Sequence, residues 1–210
     1  MPSAGAFIDP YIDSESGLLL NTLGIKDANK LRLAEADYSS LGLMTLLRSE
    51  FQLSYEPKDF RHIHRVLFGA IYPWAGEFRK IEIKKASDFD SPIFMPLANI
   101  DNALRITLAS VYNEEDRLVG LDDDEFISKL ARFFNDVNYI HPFREGNGRT
   151  QRVFWSLVAA QGGRRIDWPL IAGRELDYAS EAARTNDDLR PLERLFGHSI
   201  SYLMPTMRTS

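Results

Sequence analysis

The stretch Tyr139-Ile140-His141-Pro142-Phe143-Arg144-Glu145-Gly146-Asn147-Gly148-Arg149-Thr150-Gln151-Arg152 lies between two helical patterns, and its reading decides the rest of the chain. Gly146 and Gly148 bracket Asn147 just ahead of a helix that begins near Arg149. Glycine and asparagine tolerate left-handed backbone angles, so successive N–H groups can turn inward as an anion nest. A helix starting there adds its unpaired N–H groups and the positive end of its dipole. Arg149 and Arg152, three residues apart, project from one side of that helix. Residues 141–152 hold three Arg against one Glu, a local excess of two positive charges that suits a polyphosphate. Glu145 would repel such a ligand unless a hard divalent cation bridged it to phosphate oxygens, as magnesium does. The neutral imidazole of His141 can accept a proton near neutral pH, as a general base for a hydroxyl nucleophile must. Phe143 is expected to point inward and anchor the loop. Taken singly, Gly-Asn-Gly reads as a turn, a lone His as structural and two Arg on a helix as a solvated face. Their co-occurrence within twelve residues favours a site.

Working outward, Asp122-Asp123-Asp124-Glu125 opens a helix by complementing its dipole. Phe126, Ile127, Leu130, Phe133, Phe134 and Val137 follow at helical offsets, and Pro142 stops the pattern. The next helix carries Val153, Phe154, Leu157 and Val158 and ends at Gly162-Gly163. Upstream, Asp27 reads as the N-cap of a helix with Leu31, Ala34, Tyr38 and Leu41 on its apolar face. Another helix spans about Pro57 to Phe68. Ile81 and Ile83 alternate with Lys80, Glu82 and Lys84, which predicts a half-buried strand over Phe78 to Lys85. Asp88 to Pro92 reads as a turn and Ile93-Phe94-Met95 as the return strand. Helical spacing resumes from Leu97 to Tyr112, with late helices from about Gly173 to Thr185 and Leu189 to Leu203. The expected fold is mostly α, with one β-hairpin and one bundle-like core.

Composition narrows the function. The chain has 210 residues, 25 basic against 30 acidic side chains and a formal net charge of −5. That argues against a broad nucleic-acid surface, which needs a basic face. With no cysteine there is no disulfide, thiol nucleophile or Cys-ligated zinc. Of the four histidines, His62 and His64 at i, i+2 point apart on a helix, one wet and one core-facing, and His198 reads as structural. Trp74, Trp155 and Trp168 read as packing residues. No leader and no apolar run long enough for a membrane span is visible. The expected compartment is the cytoplasm, and export to a host cell by a leaderless route is compatible with the sequence.

Every fixed position of the Fic family signature His-x-Phe-x-(Asp/Glu)-Gly-Asn-Gly-Arg-x-x-Arg occurs in residues 141–152, so the chain resembles Fic proteins. The likeness extends to Tyr72-Pro73-Trp74-Ala75-Gly76-Glu77 with Arg79, which resembles the approach to the Fic flap hairpin. Asp9-Pro10-Tyr11 through Leu23-Gly24-Ile25, and Asn186 through Leu192, resemble flanks of bacterial Fic toxins and host-targeted effectors. The resemblance implies a single Fic domain over residues 1–210, with a core at about 57–165, a flap at about 80–95 and flanking helices at both ends. It implies transfer of AMP from ATP to a Ser, Thr or Tyr hydroxyl of a target protein, with pyrophosphate released. His141 would take the proton and Glu145 would hold magnesium. Gly146, Asn147 and Gly148 would cradle the phosphates, and Arg149 and Arg152 would bind the outer ones. The flap would hold the target by strand addition. Another nucleotide donor on the same fold, or a non-catalytic nucleotide-dependent binding module, are the alternatives. Many relatives carry an inhibitory helix with Ser/Thr-x-x-x-Glu-Gly/Asn. Here Ser110-Val111-Tyr112-Asn113-Glu114 is followed by Glu115 and reads as an ordinary helical face. A brake is therefore expected in trans, on a small antitoxin, or not at all.

Overall fold

The structure, a computed structural model, describes residues 9–83, 94–171 and 173–203. Helices dominate: α1 (Ala28–Arg48), α2 (Pro57–Phe68), α3 (Ile100–Asn113), α4 (Glu115–Leu118), α5 (Asp123–Ile140), α6 (Asn147–Gln161), α7 (Gly173–Asn186) and α8 (Arg190–Ser199). Local chemistry sets most boundaries. Asp27 accepts from the Lys30 N–H at 2.9 Å at the start of α1, and Asp122 does the same for Glu125 at the start of α5. Pro57 opens α2, where Glu56 and Asp59 form a capping box. The buried Asp59 carboxylate also accepts from the Ser54 and Tyr55 N–H groups at 2.8 and 2.7 Å, which offsets its desolvation.

The core lies where α2, α3, α5, α6 and α8 meet. Phe60, Ile63 and Leu67 of α2 and Leu104, Leu108 and Val111 of α3 are buried in one cluster with Phe126, Leu130, Phe134 and Val137 of α5 and Phe154, Trp155 and Val158 of α6. Each fully buried Leu or Phe there contributes about 2 kcal/mol. The expected apolar face of α5 is the buried one.

The apolar face expected for α1 is buried at Leu31 but not at Tyr38 and Leu41. Tyr38 is 37% and Leu41 57% exposed, whereas Leu31, Ser39, Gly42 and Leu46 face the protein. The reason is close approach. A Cβ at Gly42 would stand 2.4 Å from the Val66 carbonyl oxygen, so α1 lies on α2 through its small residues. Size of side chain was a poor guide to the inward face.

Two short strands replace the expected end of the last helix. β1 (Arg164–Ile166) pairs antiparallel with β2 (Ile200–Tyr202), Arg165 opposite Ser201. The last helical turns give way because residues 200–202 find a partner more than 30 residues back, which no local pattern records. The expected hairpin falls differently. Residues 78–83 and 94–95 carry no strand, and 84–93, with Lys84, Lys85 and Asp88, lie outside the described residues. Among the described residues no helix is long and apolar enough to cross a membrane.

Candidate active site

α5 and α6 are joined by residues 141–146, and this connection builds the site. His141 ends α5 in the left-handed region (φ 46), its N–H bonded to the Val137 carbonyl at 3.0 Å. That backbone turn swings the imidazole off the helix axis. Nδ1 of the ring lies 3.3 Å from the Asn138 carbonyl, and Phe94 stacks on the ring at 3.9 Å between ring centres. Donation from Nδ1 puts the proton-accepting lone pair on Nε2. The Arg79 guanidinium is buried and its Nε donates to the His141 carbonyl at 2.9 Å. Burial pushes the Arg79 guanidinium below its ordinary value.

Phe143 is fully buried, as expected, and stacks on the His64 ring at 3.9 Å. Asn147 closes the loop on it. The Asn147 Oδ1 accepts from the Phe143 N–H at 2.8 Å, and Nδ2 donates to the Phe143 carbonyl at 2.7 Å. Both ends of its amide thus bond to the loop backbone. Gly146 (φ 80) starts α6 without a side-chain cap. A Cβ at Gly148 would meet nothing within 4 Å, so a ligand can approach the backbone there. His141, Gly148 and Arg152 line one cavity of about 710 Å³. Its opposite wall is α7, through Asp177, Ser180 and Arg184. Tyr178 of that helix is 70% exposed and does not line the cavity.

The charge balance differs from the expected excess. Arg144 pairs with Asp9 at 2.9 Å. Arg149 pairs with Glu35 and lies 3.7 Å from Glu145. Among the described residues no carboxylate lies within ion-pair distance of Arg152. Burial, helped by the Arg149 charge, pushes its guanidinium below the ordinary value. Of the arginines lining the cavity, Arg152 and Arg184 have no carboxylate at ion-pair distance among the described residues, so the positive charge available to a ligand lies on these two. Glu145 points one oxygen at the Gly146 N–H, 2.8 Å away, and its side chain is 44% exposed.

Asp9, Glu35 and His64 contribute to the site without standing in the signature. Glu35 shares a buried stripe with Leu31, Ser39 and Gly42, a signal visible only once the inward face of α1 is known. His64 is the core-facing histidine of the pair, and His62 the exposed one. Its Nδ1 accepts from the Gly76 N–H at 2.8 Å, so Nε2 carries the proton it donates to the Glu145 carbonyl at 2.9 Å. Burial pushes its pKa down from 6.5 to about 4. The unfolded chain therefore takes up this proton first. Stability is flat above about pH 6.5 and falls between there and pH 4, by about 3 kcal/mol for this one group. Thermal melting from pH 7.5 to 4.5 should show that loss, and His64→Phe should flatten the slope. An unchanged slope in the variant would refute the assignment.

The Fic/DOC family model matches residues 53–159. Protein adenylyltransferase VbhT of Bartonella schoenbuchensis is 36% identical over 183 residues, which is 86% of this chain and 37% of the relative. The probable protein adenylyltransferase Fic of Salmonella typhimurium is 34% identical over 197 residues, 92% of each chain. The N-terminal Fic domain of a VirB-translocated Bep effector protein from Bartonella quintana, solved with bound ADP, superposes with a TM-score of 0.83. It is 25% identical, over 92% of this chain and 95% of that one. The chain spans little more than a third of the first curated relatives, 37% and 36%. On the family model, the complete signature and the helical fold together, this chain belongs to the Fic/DOC family.

Proposed function

We propose that the chain transfers AMP from ATP to a hydroxyl of a target protein. The observation that carries this is the convergence of His141, Gly148 and Arg152 on one cavity, beside the α6 N-terminus and Glu145. Relatives named protein adenylyltransferases, and an ADP-bound Fic domain, support the same reading. In the reaction, His141 Nε2 takes the proton of the target hydroxyl. The freed oxygen bonds to the α-phosphorus as its bond to the β-phosphate oxygen breaks, and pyrophosphate leaves. Backbone N–H groups of Asn147 and Gly148, and that of Gly146 once Glu145 releases it, stabilise the α-phosphate charge, and Arg149 and Arg152 hold the outer phosphates. The rate gain comes from positioning and fixed donors.

Glu145 fits magnesium. Its exposed carboxylate keeps one oxygen clear of the Gly146 N–H, and no cluster of three or more acidic or histidine groups occurs among the described residues. That suits an ion that takes most of its shell from phosphate oxygens and water. Bound there, magnesium would neutralise charge on the phosphates.

The target is proposed to bind by strand addition to the flap at about 80–95. The Arg79 N–H bonds to the Pro142 carbonyl at 2.8 Å and the Met95 N–H to the Tyr139 carbonyl at 3.1 Å. These bonds hold Arg79 and Met95 against the backbone on either side of His141, and a strand added to the flap would bring its hydroxyl to the base. Arg152 is the natural contact for an inhibitory Glu supplied in trans by a small antitoxin. Glu114 does not serve, because it pairs with Lys129 at 2.8 Å. The chain acts in the cytoplasm of the cell that makes it or, like the translocated Bartonella relative, in a host cell.

The test incubates the chain with magnesium, a cell lysate and labelled ATP, GTP, UTP or CTP. Label from the α-phosphate of ATP should appear in protein. Preferential labelling by another nucleotide would replace the donor. Nucleotide binding without any labelled protein would favour a binding module instead.

A further inference from the structure

We infer that Glu35, on α1 and outside the matched residues 53–159, is a positioning residue that fixes the direction of Arg149 for the outer phosphates of ATP. This rests on the adenylyl-transfer reading above. Glu35 pairs with Nη2 of Arg149 through one carboxylate oxygen and accepts the Tyr72 hydroxyl on the other. The remaining sides of Arg149 are also held. Nη1 donates to the Ser39 hydroxyl at 3.5 Å, and the guanidinium carbon stands 4.6 Å over the Phe68 ring. Only 16% of the Glu35 side chain and 28% of that of Arg149 is exposed.

An ion pair this enclosed is poor support for stability, because desolvation cancels much of its attraction. α1 does not need it: the helix is capped by Asp27 and docked at Gly42. What the pair does provide is orientation. An unpaired Arg side chain samples many rotamers, whereas this one has its plane set by a carboxylate, a hydroxyl and a ring. Five N–H donors exist on a guanidinium, and Glu35 and Ser39 engage two, leaving the rest in fixed directions. Since Glu35 offsets the charge, Arg149 would contribute directed hydrogen bonds while Arg152 supplies net charge.

A removable brake would be built otherwise. Glu35 is tied by the hydroxyl of Tyr72, whose ring is buried, and rides on a helix that cannot shift easily while Gly42 sits against the Val66 carbonyl. The same tie pushes the Tyr72 hydroxyl pKa up, through burial and the Glu35 hydrogen bond, so it stays a donor.

Calorimetric titration of the whole chain with ATP and with AMP, in magnesium, tests this. Glu35→Gln should weaken ATP about tenfold and leave AMP unchanged, because Arg149 meets only the outer phosphates. Transfer should lose the same factor through KM with kcat kept. Adding Glu35→Gln to Arg149→Gln should cost nothing further. If Glu35→Gln does not fold, Tyr72→Phe carries the test, with a loss of about threefold for ATP alone. Equal or tighter ATP binding in Glu35→Gln would overturn the inference, as would parallel weakening of ATP and AMP. If the unaltered chain bound no nucleotide, the functional reading itself would fall, and this inference with it.

Discussion

Replacing His141 with alanine is expected to lower AMP transfer by about 10³-fold while ATP still binds. The size follows from the role. A positioned base removes the hydroxyl proton as the new P–O bond forms, and no other imidazole can substitute, since His64 is buried with both ring nitrogens engaged. His141 also occupies a left-handed backbone position at φ 46, so alanine adds a structural question. His141→Asn resolves it, because asparagine tolerates that conformation and cannot take the proton. Both variants should melt near the unaltered protein and bind ATP, yet leave target protein unlabelled. Persistent labelling in His141→Asn would remove His141 from its assigned role.

Gly146→Ala should be the most damaging small change in the loop, costing about 2–4 kcal/mol of stability. Two penalties add. The residue sits at φ 80, where a Cβ is strained, and that Cβ would stand 2.5 Å from the Phe68 ring. Phe68 is fully buried and cannot swing away. Relief must come from the loop itself, which would pull the Gly146 N–H from Glu145 and reshape the start of α6. Melting temperature and ATP affinity should therefore fall together. Gly148→Ala has open space in the free protein and should melt normally, losing affinity only where the ligand approaches. Equal melting of Gly146→Ala and the unaltered protein would contradict this account.

The sequence was most informative where a feature is local. Caps such as Asp27 and Asp122, the proline at the start of α2 and the glycines after α6 act over three or four residues, so their spacing announces the helices. The α5 face was legible because large apolar side chains recur with the helix period and do face the core. The α1 face was not, because packing through Ser39 and Gly42 inverts the rule that the larger apolar side is inside. The β1–β2 pair was hidden for a different reason: three-residue strands have too little periodicity to stand out.

The candidate site divides along the same line. Residues 141–152 carry the nest, the base, the carboxylate and both arginines in one short run, so contiguity alone brought them to notice. Their electrostatic state could not be read there. Asp9 takes up Arg144 and Glu35 takes up Arg149 from sequence distances of 135 and 114 residues. Coulombic pairing depends on separation in space, which chain folding sets and sequence spacing does not. The motif thus pointed to a phosphate site, whereas the packing of α1 and the opening segment decided that Arg144 and Arg149 are charge-paired and Arg152 is not.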